Sequence, residues 1–258
     1  MSENGLFSLT GEVAVVIGGG GVLGGAMAEG LAQAGADIAI LGRSKENSQG
    51  RAQSIGALGR QAIGVVCDAT SKAGLEQALR EILARFGHVD ILVNAAGVNS
   101  GTPFFEITEE EWQRILDIDL KSVFLACQVF GKAMVDAGKG GSIINISSAS
   151  SGPPLSKVFT YSVAKAGVNQ ITQFLARELA PNKIRVNAIL PGFFPAEQNR
   201  KLLTDERVAS ILRHTPMQRF GESSELVGAT VYLASRKASS FVTGSILKVD
   251  GGFMAMSI

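Results

Sequence analysis

The chain has 258 residues, 46% of them hydrophobic and 18% charged, with a net charge of +1. That balance gives no footing for nucleic acid or an anionic membrane surface, while the apolar surplus suffices for one large core with some left for subunit contacts. The first eleven residues show no leader pattern, and no run reaches the roughly 18 apolar residues of a membrane span, so a cytoplasmic protein is expected.

Val13 to Ile17 is a β-branched run followed by Gly18-Gly19-Gly20-Gly21-Val22-Leu23-Gly24-Gly25. Ala26, Met27, Leu31 and Ala34 then recur at helical spacing until Gly35. Strand, glycine turn and helix in this order suit a pyrophosphate. Backbone N–H groups along Gly18, Gly21, Leu23 and Gly24 can approach it where the helix dipole favours negative charge. Ile38 to Leu41 is a second strand, ending in Gly42-Arg43-Ser44. A carboxylate at this point would hold a ribose 2′-hydroxyl. The chain instead has Arg43, a permanent planar cation suited to a 2′-phosphate, which favours NADP with NAD as the second choice. The plainer reading makes Arg43 a solvated neighbour of a Ser44 helix cap.

Ala62 to Val66 is a third strand leading to Asp68, which can accept from an adenine amino group or cap a turn. After a helix over 71–86, the run Ile91 to Gly97 is a strand closing in small residues, where a cofactor could pass close to Gly97. The amide of Asn94 suits a tie between neighbouring strands. Thr108 to Ala137 reads as one long amphipathic helix, capped by Thr108 with Glu111 and with Trp112 as packing. Ser142 to Ile146 is a buried strand that delivers Ser148 at its end.

Tyr161 and Lys165 are four apart at the head of an apolar-periodic run to Leu179, so on a helix their Cβ atoms lie about 5–6 Å apart on one face. A phenol is a poor base near neutral pH, and a fixed ammonium beside it favours the phenolate. Taken alone, the pair reads better as a surface pair on an ordinary helix, because such pairs are common by chance. Arg185 to Ile189 is a further strand, followed by Pro191-Gly192-Phe193-Phe194. Residues 193–220 break the alternation and are expected to form a substrate lid. A helix over 223–234 and a strand over 246–249 complete the chain. With no linker or repeat, residues 1–258 form one domain of α/β class: a Rossmann-type, doubly wound parallel sheet with helices on both faces. Cys67 and Cys127 read as reduced core thiols, and the spacing of His88 and His214 supports no metal site.

With the glycine turn, Asn94-Ala95-Ala96-Gly97, Ser148, Tyr161-x-x-x-Lys165 and Pro191-Gly192 in order, the chain resembles the short-chain dehydrogenase/reductase family from Leu9 to Phe253. The resemblance implies a nicotinamide cofactor, a small carbonyl or alcohol substrate and a homotetramer. It implies that Tyr161 is the general acid/base, that Ser148 polarises the substrate oxygen, and that Lys165 lowers the tyrosine pKa and holds the ribose. It places the cofactor against Gly18, Gly21, Leu23, Gly24, Arg43, Asp68, Asn94, Gly97, Tyr161, Lys165, Pro191 and Gly192.

Five positions depart from the family pattern, the first being Ile17, where the family has a threonine before its first glycine. Val22 replaces a glycine, Ala95 an asparagine, Ala196 a threonine, and Asp119 stands where a fourth catalytic residue is an asparagine. Asp119 is expected to slow proton relay through Lys165 without abolishing it. Segments such as Pro191-Gly192-Phe193-Phe194, Glu197 to Arg200 and His214-Thr215-Pro216-Met217 resemble D-mannonate oxidoreductases, or fructuronate reductases. A polyhydroxy carboxylate would then meet Asn99, Lys157, Gln198, Asn199, Arg200 or His214. Reduction of a 3-oxoacyl thioester, and a nucleotide-binding sensor or scaffold of low turnover, are the competing functions.

Overall fold

The computed structural model describes residues 5–195 and 204–256. Seven short runs form strands: β1 (Val13–Ile17), β2 (Asp37–Gly42), β3 (Ala62–Val66), β4 (Ile91–Asn94), β5 (Gly141–Ile146), β6 (Ile184–Pro191) and β7 (Ile246–Val249). They make one parallel sheet in the order β3-β2-β1-β4-β5-β6-β7. Strands buried on both sides need apolar residues on both faces, and each alternate set finds its own helix layer. Val13, Val15 and Ile17 face one layer, which includes helices α3 (Lys72–Phe86), α5 (Ser122–Ala137) and α6 (Phe159–Leu179). Ala14 and Val16 face the other, which includes α1 (Val22–Gln33) and, near the C-terminus, a helix over Glu225–Ala234. The doubly wound architecture expected from the alternation is present.

Three elements differ from the sequence reading. A helix, α2 (Lys45–Ala57), follows Arg43, with the Ser44 hydroxyl accepting from the Asn47 N–H as its cap. The helix expected over 108–137 is present, but it is continuous through a π turn rather than uniformly wound. α4 (Glu109–Leu116) passes into a π turn (Asp117–Lys121) before α5 begins. The wider turn swings Asp119 fully inward beneath Gly97. The 193–220 segment contains a regular helix, α7 (Asp205–His214), preceding α8 (Glu225–Ala234). Thr204 caps α7, and Arg207 ties it to Ser156.

Buried Arg185 on β6 donates to the carbonyls of Leu233, Ala234 and Ser235 and to Ser239, closing the C-terminal end of α8. Among the described residues, no helix is long and apolar enough to cross a membrane.

Candidate active site

Strand order reverses at β1, so the crevice outside the ends of β1 and β4 is the place where an open α/β sheet takes its ligand. Gly18 leaves β1 with φ 79°, and a Cβ there would sit 2.7 Å from the Ala96 backbone nitrogen. Only glycine satisfies both demands. A Cβ on Gly24 would meet the Gly18 carbonyl at 2.4 Å, so the first turn of α1 lies directly on the loop. Gly21 N-caps α1 without any side-chain hydrogen bond, which leaves that end of the helix to an anion. Val22 is half exposed and points away from this packing, while Leu23 turns partly inward. The residues present fit a dinucleotide's pyrophosphate.

A cleft of about 860 Å³ lies beyond the ends of β2 and β3, beside the start of α4, and its lining includes Arg43, Asp68, Thr70, Glu109, Glu110, Trp112, Arg114, Asp117 and Ile118. Arg43 is exposed on its wall, as a contact to phosphate requires. The Asp68 carboxylate accepts from the Thr70 N–H (3.0 Å) and hydroxyl (2.8 Å), and these bonds hold its pKa below the ordinary value. The turn-cap reading of Asp68 is thus present, and the residue still borders the cleft.

Asn94 is buried, and its amide donates to Asn145 Oδ1 at 2.8 Å, tying β4 to β5; Asn145 in turn donates to Thr172. Gly97 lies over Asp119: a Cβ on it would be 2.7 Å from Oδ1. At the end of β6, Gly192 donates to the Val249 carbonyl, and a Cβ there would sit 2.7 Å from Asp250 Cα. Pro191 is buried as the last residue of that strand.

The catalytic candidates come together at the end of β5. Ser148 begins a short 3-10 turn, and its Oγ accepts from the N–H and the hydroxyl of Ser150 at 3.2 and 3.1 Å. Its own proton is left to donate outward. Tyr161 lies in the first turn of α6, with Lys165 Nζ 5.5 Å from its ring centroid. The ammonium is 3% exposed, donates to the Ile146 carbonyl at 3.0 Å and faces Asp119 Oδ1 at 3.3 Å. Asp119 is 0% exposed, and its other oxygen accepts from the Val98 N–H at 3.0 Å. Burial is the strongest influence on this carboxyl and raises its pKa, with Lys165 and Val98 pulling the other way. The position where the family has an amide therefore holds a buried counter-charge to the lysine.

The substrate candidates are less gathered. Asn99 is exposed and accepts from the N–H of Ser100 next to it. Lys157 is exposed, with φ 68°, on the loop between Ser148 and Tyr161. His214, at the end of α7, stacks edge-on against Phe253 at 4.7 Å, and Phe253 meets Phe193 at 5.1 Å. Gln198, Asn199 and Arg200, like Ala196, lie outside the described residues. Phe253 and Met254, which pack near Ala149, Gly152 and Leu155, escaped the sequence reading. Their signal was the turn Asp250-Gly251-Gly252, where both glycines have positive φ and Asp250 accepts from the Met254 N–H. Among the described residues, no cluster of His, Cys, Asp and Glu could hold a metal ion.

A family profile described as enoyl-(acyl carrier protein) reductase matches residues 21–254. The chain belongs to the short-chain dehydrogenase/reductase family of oxidoreductases. It is 40% identical over 250 residues to the 2-dehydro-3-deoxy-D-gluconate 5-dehydrogenase of Escherichia coli (strain K12), covering 96% of this chain and 98% of that one. The crystal structure of a gluconate 5-dehydrogenase from Burkholderia cenocepacia J2315, in complex with NADP and tartrate, superposes with a TM-score of 0.93 at 34% identity. That match covers 97% and 98% of the two chains. A Haemophilus influenza protein provisionally named D-mannonate oxidoreductase, with bound NAD, gives 0.92 at 35% identity over 97% of each chain.

Proposed function

We propose that this chain interconverts a hydroxyl and a ketone on a six-carbon sugar acid, with NADP as the preferred cofactor. The carrying observation is the constellation at the end of β5: Ser148 with its proton free to donate, and Tyr161 beside a buried, fixed ammonium. When bound, the nicotinamide supplies or takes up the hydride. Ser148 donates a hydrogen bond to the substrate oxygen and orients it. Tyr161 takes the proton of that oxygen in oxidation and returns it in reduction. Lys165 places positive charge beside the phenol as it loses its proton, and is held there by Ile146 and Asp119.

The relatives' names supply the substrate class. They refer to gluconate and its 2-dehydro-3-deoxy derivative, acted on at position 5, as well as to mannonate. D-Mannonate/D-fructuronate is therefore one member of the proposed range, beside the gluconate pair. Lys157 and His214, together with Gln198, Asn199 and Arg200, supply the cation and hydrogen-bonding groups such an acid needs, and Asn99 adds an amide. Arg43 supports NADP over NAD. The proposed form is a cytoplasmic homotetramer, supported by an apolar surface that includes Leu116, Leu120, Phe124 and Ile171.

The test is a panel of D-gluconate, 2-dehydro-3-deoxy-D-gluconate, D-mannonate and a 3-oxoacyl thioester, each with NADP(H) and NAD(H) and followed by nicotinamide absorbance. Turnover of a sugar acid that drops by roughly 10²–10⁴ in Tyr161→Phe is expected. Turnover of the thioester alone removes the sugar-acid reading. NADPH binding with no turnover of any substrate favours the sensor.

A further inference from the structure

Helix α6 carries Tyr161 in its first turn, and that turn lacks the ordinary anchors. Its N-cap, Val158, has no side chain able to accept a hydrogen bond, and Lys157 before it sits in the left-handed region with φ 68°. Thr160 is buried, yet its hydroxyl has no partner among the described residues. Ser162 contributes only within the helix, its N–H and hydroxyl both donating to the Val158 carbonyl. Among the described residues, neither a cap nor a polar side-chain bond fixes the turn to the rest of the protein.

An aromatic contact does. Phe159 meets Phe104 edge-on, with centroids 5.0 Å apart at 86°, and lies 6.0 Å from Trp112 at 31°. These separations fall in the favourable range for ring pairs. None of the three rings belongs to the clusters that hold the sheet to its helices, and Phe104 and Phe159 are 59% and 44% exposed. Their contact is a local clamp on the surface. Trp112 also lines the cleft with Arg43 and Asp68. One ring thus borders both the cleft beside Arg43 and the turn that presents the phenol.

We propose that Phe159 is a positioning residue for Tyr161: gripped by Phe104 and Trp112, it fixes the first turn of α6 and so the place of the phenol oxygen. The inference rests on Tyr161 being the proton-transfer group.

The test compares the full-length parent with Phe159→Ala, Phe159→Tyr and Phe104→Ala in D-gluconate oxidation with NADP, measuring kcat, KM, the solvent isotope effect on kcat, and NADPH affinity by calorimetry. Phe159→Ala is expected to lose at least tenfold in kcat, with KM and NADPH affinity within twofold and a larger solvent isotope effect. Phe104→Ala, which leaves α6 untouched, should show the same pattern in smaller degree. Phe159→Tyr keeps the ring and should return to within twofold of the parent. An unchanged kcat in Phe159→Ala, a loss matched by NADPH affinity, or no rescue by tyrosine overturns the positioning role. Tyr161→Phe run alongside separates the two ideas. If it keeps the parent rate, the proton-transfer reading fails; if it is dead while Phe159→Ala is fully active, only the clamp fails.

Discussion

Replacing Asp119 by asparagine removes the negative charge that faces Lys165 while keeping the side-chain shape and the acceptor for the Val98 N–H. At an effective dielectric constant of about 20, the ammonium 5.5 Å from the Tyr161 ring acts on it with roughly 3 kcal/mol. Asp119 Oδ1 is 3.3 Å from that ammonium. It therefore lies within about 9 Å of the ring and opposes the lysine by at least about 1.9 kcal/mol. More than half of the lysine's influence on the phenol is cancelled in the parent protein. Because about 1.4 kcal/mol is a factor of ten, Asp119→Asn is expected to oxidise its substrate roughly twentyfold faster at the low end of the pH range. The acid limb of kcat/KM should move down by about 1.4 pH units. An unchanged turnover and pH profile would refute the reasoning.

Stability gives an independent check with a definite sign. Burial raises the Asp119 pKa above 3.8, so the folded chain holds this proton more tightly than the unfolded one. The corresponding stabilisation is complete below about pH 3.8 and is lost as pH rises through the folded value. Asp119→Asn lacks that loss. Its urea midpoint should vary less than the parent's between about pH 4 and neutrality.

Gly18→Ala forces a left-handed backbone on alanine and drives its Cβ to 2.7 Å from the Ala96 nitrogen. The combined cost of about 2–5 kcal/mol should appear in urea unfolding, and an unshifted midpoint contradicts it. Arg43→Ala removes a charge-assisted contact of about 1.5–3 kcal/mol. NADPH affinity should fall by roughly 10- to 150-fold with NADH affinity within twofold, whereas equal losses would exclude a 2′-phosphate contact. Burial pushes the thiols of Cys67 and Cys127 up to about 11 and about 12. Neither should react with an aromatic disulfide reagent at pH 8 until urea unfolds the chain, and fast modification of the native protein would count against that burial.

The strands were legible because a sheet covered on both faces needs unbroken apolar runs, as in Val13–Ile17 and Ile38 to Leu41. Helix α2 was hidden by its polar surface: only Ser48, Ala52 and Ile55 face inward, too thin a stripe to show as periodicity. The π turn between α4 and α5 left no mark, since Asp117 to Lys121 contains neither glycine nor proline. Of the site, Ser148, Tyr161 and Lys165 were readable through spacing and family resemblance together. The aromatic clamp was not, because Phe104, Trp112 and Phe159 are brought together only by the fold. The contact between the C-terminal turn and the serine loop spans about a hundred residues of chain, and no local pattern encodes such a pairing.

A π turn amounts to one surplus residue in a helix that otherwise keeps step. Excising a residue from the outer side of Asp117–Lys121 would restore uniform winding and turn the preceding and following segments by about 100° relative to one another. The carboxylate could then face Lys165 only if α4 or α5 gave up its present packing. The acid beside Lys165 is thus specified by chain length as well as by residue type, and a single deletion there would part the Asp119–Lys165 pair with both side chains retained.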